Sequence, residues 1–494
     1  MTEKRDRKLL KDEEQQLSQE LKKLMKLFVE ADKEIYLIGG AVRDLLIERP
    51  MGDLDLTTNA TPEETMEITK MYQPFYTNSF GTVSVPSETD EVMEITTYRS
   101  EQGYSDFRRP DKVSWGKSLA EDVERRDFTV NTLAIGPITD KKKIIGYQVI
   151  DLKNGTADLE KGLIRAVGEA NKRFGEDALR MIRAIRLATE LKFKIEEETW
   201  QAIQQQAPLL KNISGERIRD ELFKILKTDR PAEGIRKLVE SGLMKEIIPE
   251  MLEGEKVEQT GHHTLDVLEH TLQSLEYCPS PDPLVKLAAL LHDIAKPRTK
   301  RWRCSKCGWV MKEKDLQRDK LVCPRCAYEM TTKEATTFYG HEVVGAKMVG
   351  EIADRLKLSK KDKEKLVKLV RWHMFSYQPE MTDAAIRRFI RRVGKENIND
   401  MILLRIGDRK GGGSKATSWR LTELQKRIGE QLYEPMEIRD LAIKGNEVME
   451  ILELKPGPEI GKILKQLFEE VIEDTSKNTK EYLTKRVKEI GKKA

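Results

Sequence analysis

All six histidines of this 494-residue chain fall between His262 and His373, four of its five cysteines fall between Cys304 and Cys326, and the first 260 residues contain neither type. A chain with its chemistry divided in this way is not one uniform domain. Reactions in the first half must run on Asp, Glu, Arg, Lys and backbone groups, a set suited to magnesium and phosphates, while the middle concentrates imidazole and thiolate ligands. The length allows several domains of ordinary size. With 38% hydrophobic residues and no apolar run of about 18 residues, a membrane-embedded chain is excluded, and the opening MTEKRDRKLLKDEEQQ puts charge where a signal peptide needs an apolar stretch. The expected location is cytoplasmic. The excess of 88 basic over 84 acidic residues, +4, says little about a nucleic-acid partner unless the basic groups are concentrated. Between residues 161 and 194 they are: nine Lys or Arg stand against four acids.

The hydrophobic pattern predicts a leading helix over 1–30 that packs loosely or guides the chain into the first domain, then a small α/β domain over 31–157. IYLI at 35–38 reads as a strand ending at Gly39-Gly40, AVRDLLIE as a helix, DLDL at 53–56 as a strand, 63–71 as a helix, and GTVSV from Gly81 and EVMEITTYR from Glu91 as further strands of a mixed sheet. Residues 158–255 and 256–410 read as helical regions, the second interrupted over 300–335 by the cysteine-bearing insertion. Gly411-Gly412-Gly413-Ser414 reads as a flexible joint to a charged helical tail over 411–494.

The strongest chemical signal in the first half is Gly39-Gly40 after a strand, followed by Arg43, Asp44 and Asp53-Leu54-Asp55. Alternate strand residues project to one side, so Asp53 and Asp55 can face one site while Leu54 faces the core. Two carboxylates so placed can hold magnesium against a triphosphate, with Glu94 in the next strand as a candidate third. The glycine pair removes side chains beside the phosphates and leaves backbone amides and a helix start to bind them.

These motifs resemble those of class II tRNA nucleotidyltransferases, the CCA-adding enzymes and bacterial poly(A) polymerases of the polymerase-beta-like superfamily. The resemblance is carried by GGAVRDLL, DLDLTTNATPEE, EITTYRSEQGYSDFRRPDKV, EDVERRDFTVNTLA, GEDALRMIRAIRLA and ISGERIRDEL, covering about residues 30–230. It implies catalytic metal binding by Asp53 and Asp55, with Glu94 as third acid. It implies nucleotide binding by Gly39, Gly40, Arg43, Arg125, Arg126, Asp127, Asn131, Glu176, Asp177, Arg180 and Arg183. In the EDxxR pattern, Asp177 and Arg180 would select incoming C or A without a nucleic-acid template. As i and i+3 on one helical face they could read a base edge as a partner base does. Arg180, Arg183 and Arg186 recur at helical spacing beside Met181, Ile182 and Ile185, as on a helix with one packed side and one side facing phosphate. Taken alone, Arg125-Arg126-Asp127 could be a surface charge cluster and Glu176-Asp177-Arg180 an ordinary helix ion network. Family enzymes that add only CC lack a flexible segment for which this chain has Gly103, Tyr104, Asp106, Arg108, Arg109 and Pro110. That argues against CC-only addition and leaves full CCA addition, A-only addition and poly(A) synthesis open.

A second constellation, His263, His292-Asp293 and Asp408, resembles the His-Asp phosphohydrolases, with His341 and His373 as further candidate ligands. His263 is preferred to His262 and His270 as the first ligand. Such a set could bind Mg, Mn, Ni or Fe and activate water for phosphoester hydrolysis; the alternative is a degenerate domain that only supports RNA. Cys304-x-x-Cys307 and Cys323-x-x-Cys326 suit a tetrahedral structural zinc, with redox cysteines as the alternative, and Cys278 reads as a buried free thiol. Trp302, Arg303, Lys306, Trp309, Lys312 and Lys314 make the insertion basic and aromatic, allowing RNA contact or equally a small core with a solvated rim.

The expected fold is thus an α/β nucleotidyltransferase head followed by mostly α-helical domains, one of His-Asp type with a small four-cysteine zinc insertion. The expected function is a metal-dependent enzyme that adds CCA to tRNA 3′ ends from CTP and ATP, using Mg2+. The different-class alternative is a non-catalytic RNA-binding protein. The sequence leaves the oligomeric state open.

Overall fold

The computed structural model describes residues 6–77, 81–87, 92–102, 112–116, 118–259, 265–311, 321–331 and 335–492. These form two compact units, Met1–Ile247 and Ile248–Ala494. Among the described residues no helix is long and apolar enough to cross a membrane.

The first unit is built on an eight-stranded mixed sheet. Its strands are β1 (Arg7–Lys8), β2 (Ile35–Ile38), β3 (Leu54–Thr58), β4 (Phe75–Tyr76), β5 (Thr82–Pro86) and β6 (Val92–Thr97), then, after a separate hairpin β7 (Arg99–Gln102) and β8 (Lys112–Trp115), β9 (Ala134–Asp140) and β10 (Lys143–Ile150). The order is β1-β10-β9-β2-β3-β6-β5-β4. Only β3 and β6 run parallel within it, which sets Asp55 beside Glu94 across the ladder. Along β6 the side chains alternate, Met93 and Ile95 buried and Glu94 exposed, so one face is core and the other carries the acids. The N-terminal segment differs from the expected loose helix. β1 pairs with β10, and the helix Gln19–Glu30 buries Leu21, Leu24, Met25 and Phe28 completely. Its apolar residues recur at 3.6-residue spacing, which makes it a packed layer of the core. Helices follow the sheet, among them Ala170–Glu176, Leu179–Leu191 and Gly215–Lys227.

The second unit is helical, with the cysteine insertion as its sheet-forming part. Helices Val267–Glu276, Pro283–Leu291, His341–Arg355, Lys360–Trp372 and Ile398–Gly411 carry or adjoin the histidine and aspartate residues. The glycine run is not a free joint: Gly411 ends its helix, and a Cβ there would lie 2.4 Å from Ser274 Oγ. At Gly407, one turn earlier, a Cβ would lie 2.6 Å from the Ser274 carbonyl oxygen. These two glycines let the helix approach Val267–Glu276 at backbone distance. Beyond the turn, Leu441, Val448, Leu467, Phe468, Val471, Ile472, Leu483 and others form a separate C-terminal core.

Candidate active and metal sites

At the head site, β2 is followed by Gly39, whose φ of +90° and ψ of −137° only glycine adopts without strain. A Cβ there would lie 3.3 Å from Arg126 Nη1 and 4.0 Å from Asp55 Oδ2, so this backbone, that guanidinium and that carboxylate share one small space. Asp53 immediately precedes β3 and is exposed, as are Asp55 and Glu94 on the same open face. Desolvation is the largest influence on Asp55 and raises its pKa; Glu94 and Asp53 push the same way, against Arg126 and Arg183. An Asp55 charge disfavoured by burial and by two neighbouring acids makes a suitable seat for a divalent cation.

Beneath this face a buried polar chain joins four of the expected nucleotide-binding residues. Arg43 Nη1 donates to Asn131 Oδ1 at 2.9 Å, Asn131 Nδ2 donates to Asp127 Oδ1 at 3.1 Å, and Arg183 Nε donates to Asp127 Oδ2 at 2.9 Å. Burial would raise Asp127, but Arg183, Asn131 and Arg180 outweigh it and hold it at about 2. Arg125 and Arg126 both pair with the fully buried Asp122, at 2.6 and 3.2 Å. Asp122 is the residue that sequence reasoning passed over, although its i+3 and i+4 spacing to the two arginines in EDVERRD was the available signal.

Asp177 and Arg180 do not share one helical face. Asp177 caps the helix Ala170–Glu176 in extended backbone, and the next helix begins at Leu179, whose N–H donates to Asp177 Oδ1 at 3.1 Å. The carboxylate that would read a base also accepts from Arg217 Nη2 at 2.8 Å. Arg180 Nη1 donates to Glu176 at 2.9 Å and its Nη2 to the Arg125 carbonyl at 3.1 Å. Nor does the arginine row face open phosphate: Arg183 pairs with Asp127, and Arg186 with the buried Glu221 at 2.8 Å. Periodicity found the helix but not these acidic partners, which lie on other elements.

In the second unit the sequence-predicted His292, Asp293, His341 and Asp408 come together with His270 and His373; His262 and His263 lie outside the described residues, as do Gly103–Pro110, Lys312 and Lys314. Asp293 Oδ2 lies 3.4 Å from His270 Nε2 and 3.2 Å from His292 Nε2, while its Oδ1 lies 3.3 Å from His341 Nε2 and 3.7 Å from His373 Nε2. Asp408 Oδ1 is 3.3 Å from His270 and 3.6 Å from His292. One carboxylate therefore faces two pairs of imidazoles with its two oxygens. The Nδ1–H groups of His292, His341 and His373 donate to the carbonyls of Ala289, Phe338 and Val370 at 2.8, 2.8 and 2.7 Å, which turns each Nε2 inward. The His341 and His373 Nε2 atoms are then 3.3 Å apart, two lone pairs that only a cation or proton reconciles. Burial lowers His292, yet Asp293 and Asp408 overcome it and raise it to about 10; burial first and His292 second lower His373 to about 3. Lys296, unremarked in the sequence, sits 2.6 Å from Asp293 Oδ2 at the edge of a cavity of about 600 Å³. HDIAK places it one helical turn after Asp293, which was its signal.

The four insertion cysteines also converge. Cys304 and Cys326 sulfurs are 3.6 Å apart and Cys307 and Cys323 sulfurs 3.5 Å, close to the roughly 3.8 Å edge of a tetrahedron of Zn–S bonds. Both knuckles use the same backbone turn, Gly308 N–H to the Cys304 carbonyl at 2.9 Å and Ala327 N–H to the Cys323 carbonyl at 2.8 Å. Cys278 is free and buried.

Fold and sites together define a nucleotidyltransferase head joined to helical domains of which one is of the His-Asp type. Residues 35–165 match the poly A polymerase head domain, 192–254 the RNA and SrmB-binding site of polymerase A, 260–409 the HD domain and 344–487 tRNA nucleotidyltransferase domain 2. In these regions the chain is similar to the class II tRNA nucleotidyltransferases, the family of CCA-adding enzymes and bacterial poly(A) polymerases. It is 44% identical over 226 residues to the CCA-adding enzyme of Lactobacillus gasseri, covering 45% of this chain and 54% of that one. With the CCA-adding enzyme of Lactobacillus helveticus the identity is 48% over 197 residues, 40% and 47% of the two chains. The chain thus spans about half the length of the curated relatives it matches. The crystal structure of the Bacillus stearothermophilus CCA-adding enzyme in complex with CTP aligns at TM-score 0.65 and 25% identity, over 96% of this chain and 98% of that one. The Thermotoga maritima CCA-adding enzyme complexed with tRNA aligns at TM-score 0.55 and 19% identity, over 98% and 99%, a likeness of fold.

Proposed function

We propose that the head adds C, C and A to tRNA 3′ ends from CTP and ATP without a nucleic-acid template, releasing pyrophosphate. The observation that supports it most is the convergence of Asp53, Asp55 and Glu94 with Gly39 and Arg126. Asp53 and Asp55, with Glu94 beside them, would hold Mg2+, which when bound favours attack of the terminal 3′-hydroxyl on the α-phosphate and departure of pyrophosphate. Gly39 and Gly40 leave room for the triphosphate against backbone amides, and Arg126 offers it a guanidinium held in place by Asp122. Asp177 and Arg180 would read the base, exchanging Arg217 and Glu176 for its edge. Arg43, Asn131, Asp127 and Arg183 keep the floor of that site rigid. Extension of tRNA lacking CCA, tRNA ending in C-C and a generic oligoribonucleotide tests this. Ordered C, C, A addition that then stops is expected; one A on the C-C substrate alone marks an A-adding enzyme, and long A tails on any RNA mark a poly(A) polymerase.

A second activity is favoured by the way Asp293 faces two imidazole pairs: metal-dependent hydrolysis of a phosphomonoester or a 2′,3′-cyclic phosphate at an RNA end. His270, His292, Asp293 and Asp408 would hold one divalent ion, and His341 and His373 a second across Asp293, drawn from Mg, Mn, Ni or Fe. His263, the expected first ligand, lies outside the described residues; among the described residues His270 has the geometry to serve. The cysteines would hold a structural zinc. In this reading 31–157 is the head, 158–255 the nucleotide-selecting and RNA-binding region, 256–410 the hydrolase domain and 411–494 a C-terminal helical region. Release of phosphate from a 3′-phosphorylated RNA, abolished in Asp293→Ala and retained in Asp53→Ala, is the expected result.

A further inference from the structure

The cysteine insertion is wired directly into the wall of the His-Asp cavity. Its strand Arg301–Arg303, which runs into Cys304, pairs on one side with Val310–Met311 of the first knuckle and on the other with Thr336–Thr337. Thr336 and Thr337 line the cavity, and the chain continues from them through Phe338 and Tyr339 to His341. Phe338 supplies the carbonyl that orients the His341 ring. Whatever fixes the knuckles therefore fixes one side of the pocket.

The same module and the segment that leaves it carry exposed aromatic rings with cations lying over or against them. Trp309 is 45% exposed with the Arg325 guanidinium 5.7 Å from its ring centre, and Tyr328 is 42% exposed with Lys306 Nζ at 5.9 Å. Tyr339, at the cavity mouth, is 70% exposed and its hydroxyl accepts from Arg303 Nη1 at 3.2 Å. Over 300–335 ten Lys or Arg stand against five acids. The small core of the module is complete without these rings, since Trp302, Met311, Leu321, Met330 and the cysteines fill it. Exposed π-faces paired with cations are what unstacked bases and their phosphates require, whereas duplex RNA would present its bases already stacked.

We propose that this insertion is the RNA-gripping lip of the His-Asp cavity: Trp309 and Tyr339 stack the last unpaired bases of a single-stranded RNA 3′ end, Arg303, Lys306 and Arg325 hold its phosphates, and the terminal ribose is delivered to the metal-binding residues. The delivery rests on the hydrolase reading of the cavity; the grip does not.

The test uses the full-length, zinc-loaded protein and a short 5′-fluorescein oligoribonucleotide ending in 3′-terminal 4-thiouridine. Anisotropy should show binding that weakens roughly tenfold or more in W309A/Y339A and recovers in W309F/Y339F, with bound zinc unchanged in both. Irradiation should crosslink the terminal nucleotide within the segment 336–342. Unaltered affinity in W309A/Y339A, equal affinity for a blunt duplex, or crosslinks confined to other segments would overturn the proposal. Hydrolysis of bis(p-nitrophenyl) phosphate with Mn2+ separates the two readings. If the wild type leaves this small diester and 3′-phosphorylated RNA untouched, the hydrolase reading fails while binding and crosslinking still decide the lip. If W309A cleaves the small diester normally but RNA slowly, both stand.

Discussion

Asp55 and Asp127 stand close in the chemistry of the head and differ in what they do to the fold. Asp55 is raised by desolvation and by its acidic neighbours, so its charge opposes folding and favours a bound cation. Asp55→Asn should therefore lower nucleotide addition by at least about a hundredfold while leaving the thermal midpoint equal or higher, a split read by single-turnover extension beside a melting curve. Asp127 is held at about 2 by Arg183 and Asn131. A folded pKa below the ordinary value means the stabilisation is present above about pH 4 and is lost as pH falls toward 2. Asp127→Asn should cost roughly 2–3 kcal/mol at neutral pH, and in urea titrations its deficit against wild type should shrink steadily between about pH 4 and pH 2. A deficit independent of pH would show that the charge of Asp127 is not what joins Arg183 to the head. Arg217 is the residue whose role was least visible beforehand: it lies forty positions from Asp177, and no local spacing predicts that pairing.

At the level of elements, the approach of the helices Val267–Glu276 and Ile398–Gly411 hangs on two small residues. Gly407→Ala places a methyl 2.6 Å from the Ser274 carbonyl oxygen and 3.1 Å from Cys278, an overpacking that should cost about 1–3 kcal/mol. Asp408 is the next residue, so the same substitution should weaken divalent-metal uptake by the His-Asp site, measured by calorimetry, more than Gly413→Ala does. The strands and helices of the first unit were largely legible, since IYLI, DLDL and EVMEITT alternate or run apolar at the right lengths and GG marks the turn. What was not legible has a common physical origin. The break at Asp177, the packed rather than loose helix Gln19–Glu30, and Gly411 used for close approach rather than for freedom are all decided by what lies opposite in space. The same holds for the first histidine: HHTLDVLEH offers three candidates, and it is the face of Val267–Glu276 turned toward Asp293 that brings His270 to the site.

For the molecule as a whole, the two compact units carry two separate sets of candidate ligands, hard carboxylates in one and imidazoles with two carboxylates in the other. Asp53→Ala should lose nucleotide addition and keep metal binding at the His-Asp site, and Asp293→Ala should do the reverse, as read by extension assays and metal titration of each variant. Loss of both functions in either variant would show the units to be energetically one. The His-Asp centre also has a property bearing on its history. His292, His341 and His373 are each oriented by the main-chain carbonyl three residues earlier, at Ala289, Phe338 and Val370, and a carbonyl is present whatever side chain the codon specifies. The ring orientation of these three histidines is thus insulated from point mutation at the positions that enforce it. Drift in this domain can remodel the cavity walls and change what is bound there long before it disarms the centre, and a silenced descendant should show its lesions at the histidines and aspartates themselves.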